Sequence, residues 1–204
     1  GDHKIMRSAL RQAGVTEVTD MNEMMDVLRG FSKTRRVCSP EGAGTAVVTF
    51  SGGGGIVTSD MLHDAGLSLA DLSEDTLVAL KAVYPPWMEP ANPVDIWPAI
   101  EHSGITKVYT TVSEAVMRDP KVDSVIIHIF TSMIEGSLFA NLAELKDTLG
   151  KPVVAWLAGL GEHMRECRRT IEGLGIPVFD EMSRTVSVLS AMKNHFGRER
   201  HPMP

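Results

Sequence analysis

The sequence predicts an α/β fold: a three-layer α/β/α sandwich around a mainly parallel sheet, preceded by a short helical segment. Three observations carry this. From Gly44 onward, short apolar runs rich in β-branched residues alternate with longer stretches of helical periodicity, the pattern of successive βαβ units. Two of the runs, Val125-Ile126-Ile127 and Val153-Val154-Ala155-Trp156, are continuous rather than alternating, as strands covered by helices on both faces are. The first run, 44–50, passes straight into Ser51-Gly52-Gly53-Gly54-Gly55 and then an amphipathic stretch, which reads as strand, glycine turn and helix.

Taken in order, residues 2–14 read as a helix with Ile5, Ala9, Leu10 and Ala13 on one face, and 16–18 as a short extended piece. Asp20, with Glu23 three residues on, is a capping-box signal ahead of Met21, Met24, Met25 and Leu28 at helical spacing, a face expected to fill a core or an interface. Residues 33–44 are polar, carry Pro40, Gly42 and Gly44, and read as a linker. The main domain follows: strand to Phe50, helix 56–65, and a helix capped by Ser73 that runs to Val83 with Glu74 and Asp75 in its first turn, where they favour the helix dipole. Pro85, Pro86 and Pro90 forbid regular structure. Then come a short strand at 94–96, a helix at 105–117, a strand at 122–130 and a helix at 134–149. A strand at 152–157, a helix at 162–174, a strand at 176–179 and a final helix from Met182 to about His195 complete the domain. The expected division is a helical segment with its linker at 1–40, the α/β domain at 41–197 and a tail or linker at 198–204.

Composition excludes several functions. The formal charge of −6 argues against a general nucleic-acid surface. No apolar run approaches the length of a membrane span. Cys38 and Cys167 lie far apart and form no metal or redox motif, which fits a reducing, cytoplasmic setting. Glu162-His163 lacks the second histidine of a zinc motif, and His63, His102, His163 and His195, without ligand spacing, are expected at the surface. His128 alternates within an apolar strand and reads as a core histidine with satisfied hydrogen bonds. Arg165, Arg168 and Arg169 are expected on a solvated helix face. The chain opens Gly1-Asp2-His3 without an initiator Met and reads as a segment of a longer polypeptide.

In a parallel sheet, ligands bind at the carboxyl ends of the strands, which gathers three loops here: 51–55, 130–136 and 158–162. Glycines at the start of a helix leave backbone N–H groups accessible to an anion, and the missing side chains let it approach closely. The Ser51–Gly55 spacing matches neither the dinucleotide fingerprint nor the Walker P-loop. The same glycines also suit close strand–helix packing, Thr131 and Ser132 also suit helix capping, and Asn92-Pro93 also suits a plain turn.

The ordered motifs resemble one family. Arg11-Gln12-Ala13-Gly14-Val15, the Ser51–Gly55 glycines, Ala65-Gly66-Leu67, Leu72-Ser73-Glu74-Asp75-Thr76 and Pro85-Pro86 follow one another. Asn92-Pro93-Val94-Asp95, Asp119-Pro120-Lys121-Val122-Asp123, Gly150-Lys151-Pro152-Val153 and Gly175-Ile176-Pro177-Val178 complete the set over nearly the whole chain. The chain resembles the NDP-forming acyl-CoA synthetases, the ADP-forming acetate–CoA ligase group of the succinyl-CoA synthetase superfamily, and within them the flavodoxin-like ligase domain.

The resemblance implies reversible acyl-CoA formation from an organic acid, CoA and a nucleoside triphosphate, through an acyl phosphate and a phosphohistidine. It places that histidine in a Ser-His-Thr-Gly segment upstream of Gly1, so no catalytic residue is expected in this segment. It implies CoA, ATP/ADP and Mg2+ for the parent enzyme rather than for this segment. The implied partners are a CoA-binding Rossmann domain and an ATP-grasp domain, in a homodimer or heterotetramer. The phosphate and acyl phosphate contacts it implies here are Ser51, Gly52, Gly53, Gly54 and Gly55, with Thr131 and Ser132 as hydroxyl donors where relatives carry glycines. Asn92 is expected as an amide donor and Asp95 as a loop anchor. Trp87 and Trp97 flank the proline-rich loop and can bound an acyl pocket. An alternative is a non-catalytic module that senses an acyl-CoA or metabolite inside a multidomain regulator.

Overall fold

The computed structural model describes residues 2–34, 43–131 and 136–198. Five strands, β1 (Gly44–Thr49), β2 (Val94–Asp95), β3 (Val122–Phe130), β4 (Val153–Ala158) and β5 (Val178–Phe179), form one sheet in the order β2-β1-β3-β4-β5, with every pairing parallel. This is the doubly wound order with its switch point between β1 and β3. Val47 faces Ile126 across that central pair, and Ile127 faces Ala155 across the next.

The helices are α1 (His3–Gln12), α2 (Met21–Lys33), α3 (Gly52–Asp64), α4 (Glu74–Lys81), α5 (Trp97–Ser103), α6 (Ile105–Arg118), α7 (Ala140–Leu149), α8 (Gly161–Gly173) and α9 (Met182–Arg198). Strand alternation divides the apolar residues between two cores. Ala46, Val48, Val125, Ile127, Ile129, Ala155 and Leu157 pack against α4 to α8, whereas Val47, Ile126 and Val154 pack against α3, α9 and α2. Two helical layers therefore enclose the sheet, and the three-layer flavodoxin-like fold expected from the sequence is the one observed.

Several elements differ from the expectation. The four glycines are not a turn ahead of a helix: they are the first turn of α3, capped by Ser51, whose Oγ accepts from the Gly54 N–H at 3.3 Å. Each glycine alone is a poor helix former, but the cap and the packing surface of β1 override that. Helix α5 was not expected; Trp97-Pro98 starts it because proline suits a first turn, and the Asp95 carboxylate accepts from the Trp97 N–H at 3.2 Å. Of the helix expected at 134–149, the described part is a 3-10 turn, Gly136–Phe139, followed by α7. The expected extended piece at 16–18 forms no strand. Most of the expected linker, with Cys38, Pro40 and Gly42, and most of the expected tail lie outside the described residues.

The face of α2 that packs is also not the expected one. Met21, Met25 and Leu28 are exposed, whereas Val27 and Gly30 are buried and Phe31 half-buried. Gly30 lets α2 approach α9 so closely that a Cβ there would lie 2.3 Å from Val188 Cγ1. Asp26 strengthens the contact through an ion pair to Arg184 of α9, and Arg29 ties α2 to α8 through Glu172. The expected apolar face of α1 is not buried either, with Ile5 69% and Leu10 37% exposed. Among the described residues no helix is long and apolar enough to cross a membrane.

Candidate functional site

The carboxyl end of the sheet at the β1/β3 switch point is where a fold of this order binds ligands. Ser51 follows β1 there and Thr131 follows β3. Thr49, the last residue of β1, holds the turn into α3: its hydroxyl donates to the Ser51 carbonyl at 2.9 Å and accepts from the Ser51 N–H at 3.0 Å. The Ser51 carbonyl also accepts the first helical bond, from Gly55 at 2.9 Å. An α-helix leaves its first N–H groups without internal acceptors. Gly54 and Gly55 are satisfied by Ser51, so Gly52 and Gly53 are the donors that face outward, at the positive end of the helix dipole.

The four glycines serve different purposes. A Cβ on Gly55 would lie 2.8 Å from Pro93 Cβ and 3.1 Å from Thr49 Cγ2, so that residue is small for packing. A Cβ on Gly52 would meet the Asp95 carboxylate at 3.1 Å, and one on Gly54 would touch His128 Nδ1 at 3.5 Å. At Gly53 a Cβ would meet nothing nearer than Ser51 Oγ at 4.0 Å among the described residues. Among the described residues the space beside the Gly53 Cα is therefore unfilled, while Asp95 places a carboxylate beside Gly52.

Of the other expected contacts, Asp95 is brought to the site and anchors its loop through the Trp97 N–H and through its own carbonyl, which accepts from the Tyr84 hydroxyl at 2.7 Å. Burial and the nearby Asp95 push the Tyr84 hydroxyl well above its usual range. Asn92 is not brought to the site as a free donor. Its amide donates to the Thr45 and Ala70 carbonyls at 2.9 and 3.0 Å, and its oxygen accepts from the Val47 N–H at 2.9 Å. With both N–H groups of the amide spent on backbone carbonyls, Asn92 has no donor left for a ligand. Thr131 is buried against Gly159, where a Cβ would lie 1.9 Å from its Oγ1. Ser132 lies outside the described residues. Trp87 and Trp97 are exposed, and Arg168 is half-buried rather than solvated, donating to the Val178 carbonyl and paired with Asp180. His195, expected at the surface, packs edge-on against Phe31 and Phe196.

Sequence reading missed an aromatic wall. Phe50 lies 5.4 Å from Phe130 and stacks on Trp156 at 5.8 Å. The signal was present: Phe50-Ser51 and Phe130-Thr131 each set an aromatic residue just ahead of a hydroxyl residue at the end of a strand. His128 lies beneath, fully buried, with its ring edge-on to Trp156 at 5.0 Å. Its Nδ1 is 3.0 Å from Thr49 Oγ1 and its Nε2 3.2 Å from Thr58 Oγ1. Burial lowers its pKa to about 4, so the ring is neutral at pH 7. The site thus combines outward N–H donors, an aromatic side and a neutral polar support.

A family model, the Ligase-CoA domain, matches residues 45–204. The chain belongs to that family. It is 32% identical over 198 residues to "Acetate--CoA ligase [ADP-forming] II" of Archaeoglobus fulgidus, an alignment covering 97% of this chain and 29% of the relative. It is 30% identical to "Acetate--CoA ligase [ADP-forming] II subunit alpha" of Pyrococcus furiosus, over 88% of this chain and 39% of the relative. Among solved structures, the apo form of "dinucleotide forming Acetyl-coenzyme A synthetase 1" of Ca. Korarchaeum cryptofilum superposes with a TM-score of 0.79 at 25% identity, over 98% of this chain and 43% of that one. The Ligase-CoA chain described here thus spans less than half the length of each of these proteins.

Proposed function

We propose that this chain is the flavodoxin-like ligase domain of an NDP-forming acyl-CoA synthetase, and that the N-terminus of α3 holds the phosphoryl group of an acyl phosphate or phosphohistidine. The observation that carries the reading is the placement of Gly52 and Gly53, whose N–H groups have no acceptor among the described residues, with open space beside Gly53, at the β1/β3 switch point of a Ligase-CoA domain. The relatives' printed activity, ADP-forming acetate–CoA ligation, supplies the reaction class.

In the proposed reaction a histidine carried elsewhere in the parent enzyme takes the terminal phosphoryl group of a nucleoside triphosphate, releasing the diphosphate, and passes it to a carboxylate. The CoA thiol then displaces phosphate from the acyl phosphate to give acyl-CoA, and every step is reversible. CoA, ATP/ADP and Mg2+ belong to that remainder, with a CoA-binding Rossmann domain and an ATP-grasp domain as partners. The α/β domain at 41–197 and a cytoplasmic setting are part of the same proposal. What this chain contributes is electrostatic preorganisation. Fixed N–H dipoles face the transferring phosphoryl group without having to reorient, which is worth far more away from bulk water. The aromatic wall of Phe50, Phe130 and Trp156 keeps one side of the site apolar.

The test is titration of the chain with acetyl phosphate and inorganic phosphate, followed by amide resonances. Binding is expected to shift Gly52 and Gly53, and Gly53→Val is expected to weaken it at least tenfold, about 1.4 kcal/mol. Stability is expected to be retained, because the added side chain enters open space. Undiminished binding by Gly53→Val would remove the phosphoryl role from this turn.

A further inference from the structure

Beneath the glycine turn, two buried polar side chains stand at the carboxyl ends of the central strands. On the face of the sheet covered by α3 and α9, the central strands present Val47, Ile126 and Val154 to the core. Two residues further along, that alternation brings Thr49 and His128, both fully buried. Both are directed at the start of α3.

The hydrogen bonds define a chain with one direction. Thr49 Oγ1 gives its single proton to the Ser51 carbonyl and takes the Ser51 N–H, so the ring nitrogen facing it, His128 Nδ1 at 3.0 Å, is the protonated one. His128 Nε2 is then the acceptor, and the Thr58 hydroxyl donates to it at 3.2 Å. Thr58 lies on α3 itself; its one proton also has Met182 Sδ of α9 as an acceptor at 3.6 Å, a weaker and longer one than the ring nitrogen. The ring therefore links the body of α3 to its own cap. With both lone pairs of the Thr49 hydroxyl occupied, its proton has one place to go, and the Ser51 backbone is held at both its N–H and its C=O. Ser51 in turn sets where the Gly52 and Gly53 N–H groups point.

We propose that His128 is a positioning residue. Held neutral and protonated on Nδ1, it orients the Thr49 hydroxyl and through it fixes the Ser51 cap, so that the Gly52 and Gly53 donors are preset for a phosphoryl oxygen. This rests on the reading of α3 given above. It extends that reading from the donors to the buried group that aims them.

The test compares three variants of this chain, each checked for retained cooperative unfolding. In His128→Asn the side-chain amide reproduces the Nδ1–H donor, whereas His128→Gln reaches only toward Thr58 and His128→Leu does neither. Inorganic phosphate is the probe. His128→Asn is expected to bind within twofold of the parent, and His128→Gln and His128→Leu about tenfold more weakly. Thr49→Val is expected to lose as much as His128→Leu, with the double variant no worse than either, since both act through one chain.

Folded His128→Leu binding phosphate as tightly as the parent would overturn the inference. If the parent chain itself fails to bind phosphate, the phosphoryl reading falls, and the positioning role is decided by two further measurements. The ring nitrogens are expected to show a proton on Nδ1 and none on Nε2. Hydrogen exchange at the Ser51 and Gly55 amides is expected to accelerate at least tenfold in His128→Leu and not in His128→Asn. A proton on Nε2, or unchanged exchange, would overturn the positioning role in its own right.

Discussion

His128 is buried without charge, and that has a thermodynamic consequence. Its pKa falls from the ordinary 6.5 to about 4 because burial disfavours the imidazolium. Between those values the unfolded chain binds more protons than the folded one, so stability rises with pH. The contribution is complete above about pH 6.5 and is lost as pH falls toward 4, reaching ~3 kcal/mol when fully withdrawn. Urea unfolding at pH 7.5 and at pH 4.5 is expected to show this loss in the parent chain and a flatter response in His128→Leu. An equal pH response in both would mean that other groups carry it. The strand around His128 was legible in sequence, and so was its status as a core histidine. Its partners were not, because Thr49 and Thr58 stand 79 and 70 residues away in the chain and only β1–β3 pairing brings them to the ring.

At the scale of elements, α3 shows where local and tertiary preferences separate. Four successive glycines disfavour a helix through backbone entropy, and the sequence alone reads them as a turn. The Ser51 cap and the need to lie flat on β1 and β2 draw them into the first helical turn instead. Gly55 is the element's contact point, wedged between Pro93 and Thr49. Gly55→Ala is expected to cost about 1–3 kcal/mol by forcing α3 off the sheet. Gly53→Ala, which enters open space, is expected to stay within ~0.5 kcal/mol of the parent. Thermal unfolding of the two variants separates the packing glycine from the open one, and equal losses would contradict this division. Asn92 carries the same lesson. Its sequence motif drew attention as a binding residue, yet its amide closes gaps in backbone hydrogen bonding along β1 and at Ala70, a demand created by the neighbouring segments rather than by its own.

The whole molecule is uneven in how firmly it is held. β1 and β3 lie at the centre of the sheet, buried on both faces, whereas the described side chains of α1 are exposed. A helix of 10 residues is marginal in water without a packing partner. Hydrogen exchange of this chain is expected to be near the unprotected rate in α1 and slowest in β1, β3 and β4. Protection of α1 equal to that of β3 would show that it packs in solution.

The sequence by itself determined the layered α/β class, the order of its strands along the chain and the location of the glycine segment at a strand end. Those follow from periodicity and from residue types that act over a few positions. Only the tertiary structure decided that the glycines are helical, that Asn92 serves the backbone, that α2 packs through Val27 and Gly30 rather than its methionines, and that Phe50, Phe130, Trp156 and His128 converge beneath one helix end. Each of these depends on which distant strand lies alongside. Hydrogen-bond satisfaction and close packing between such neighbours outweigh local preferences of a fraction of a kcal/mol per residue.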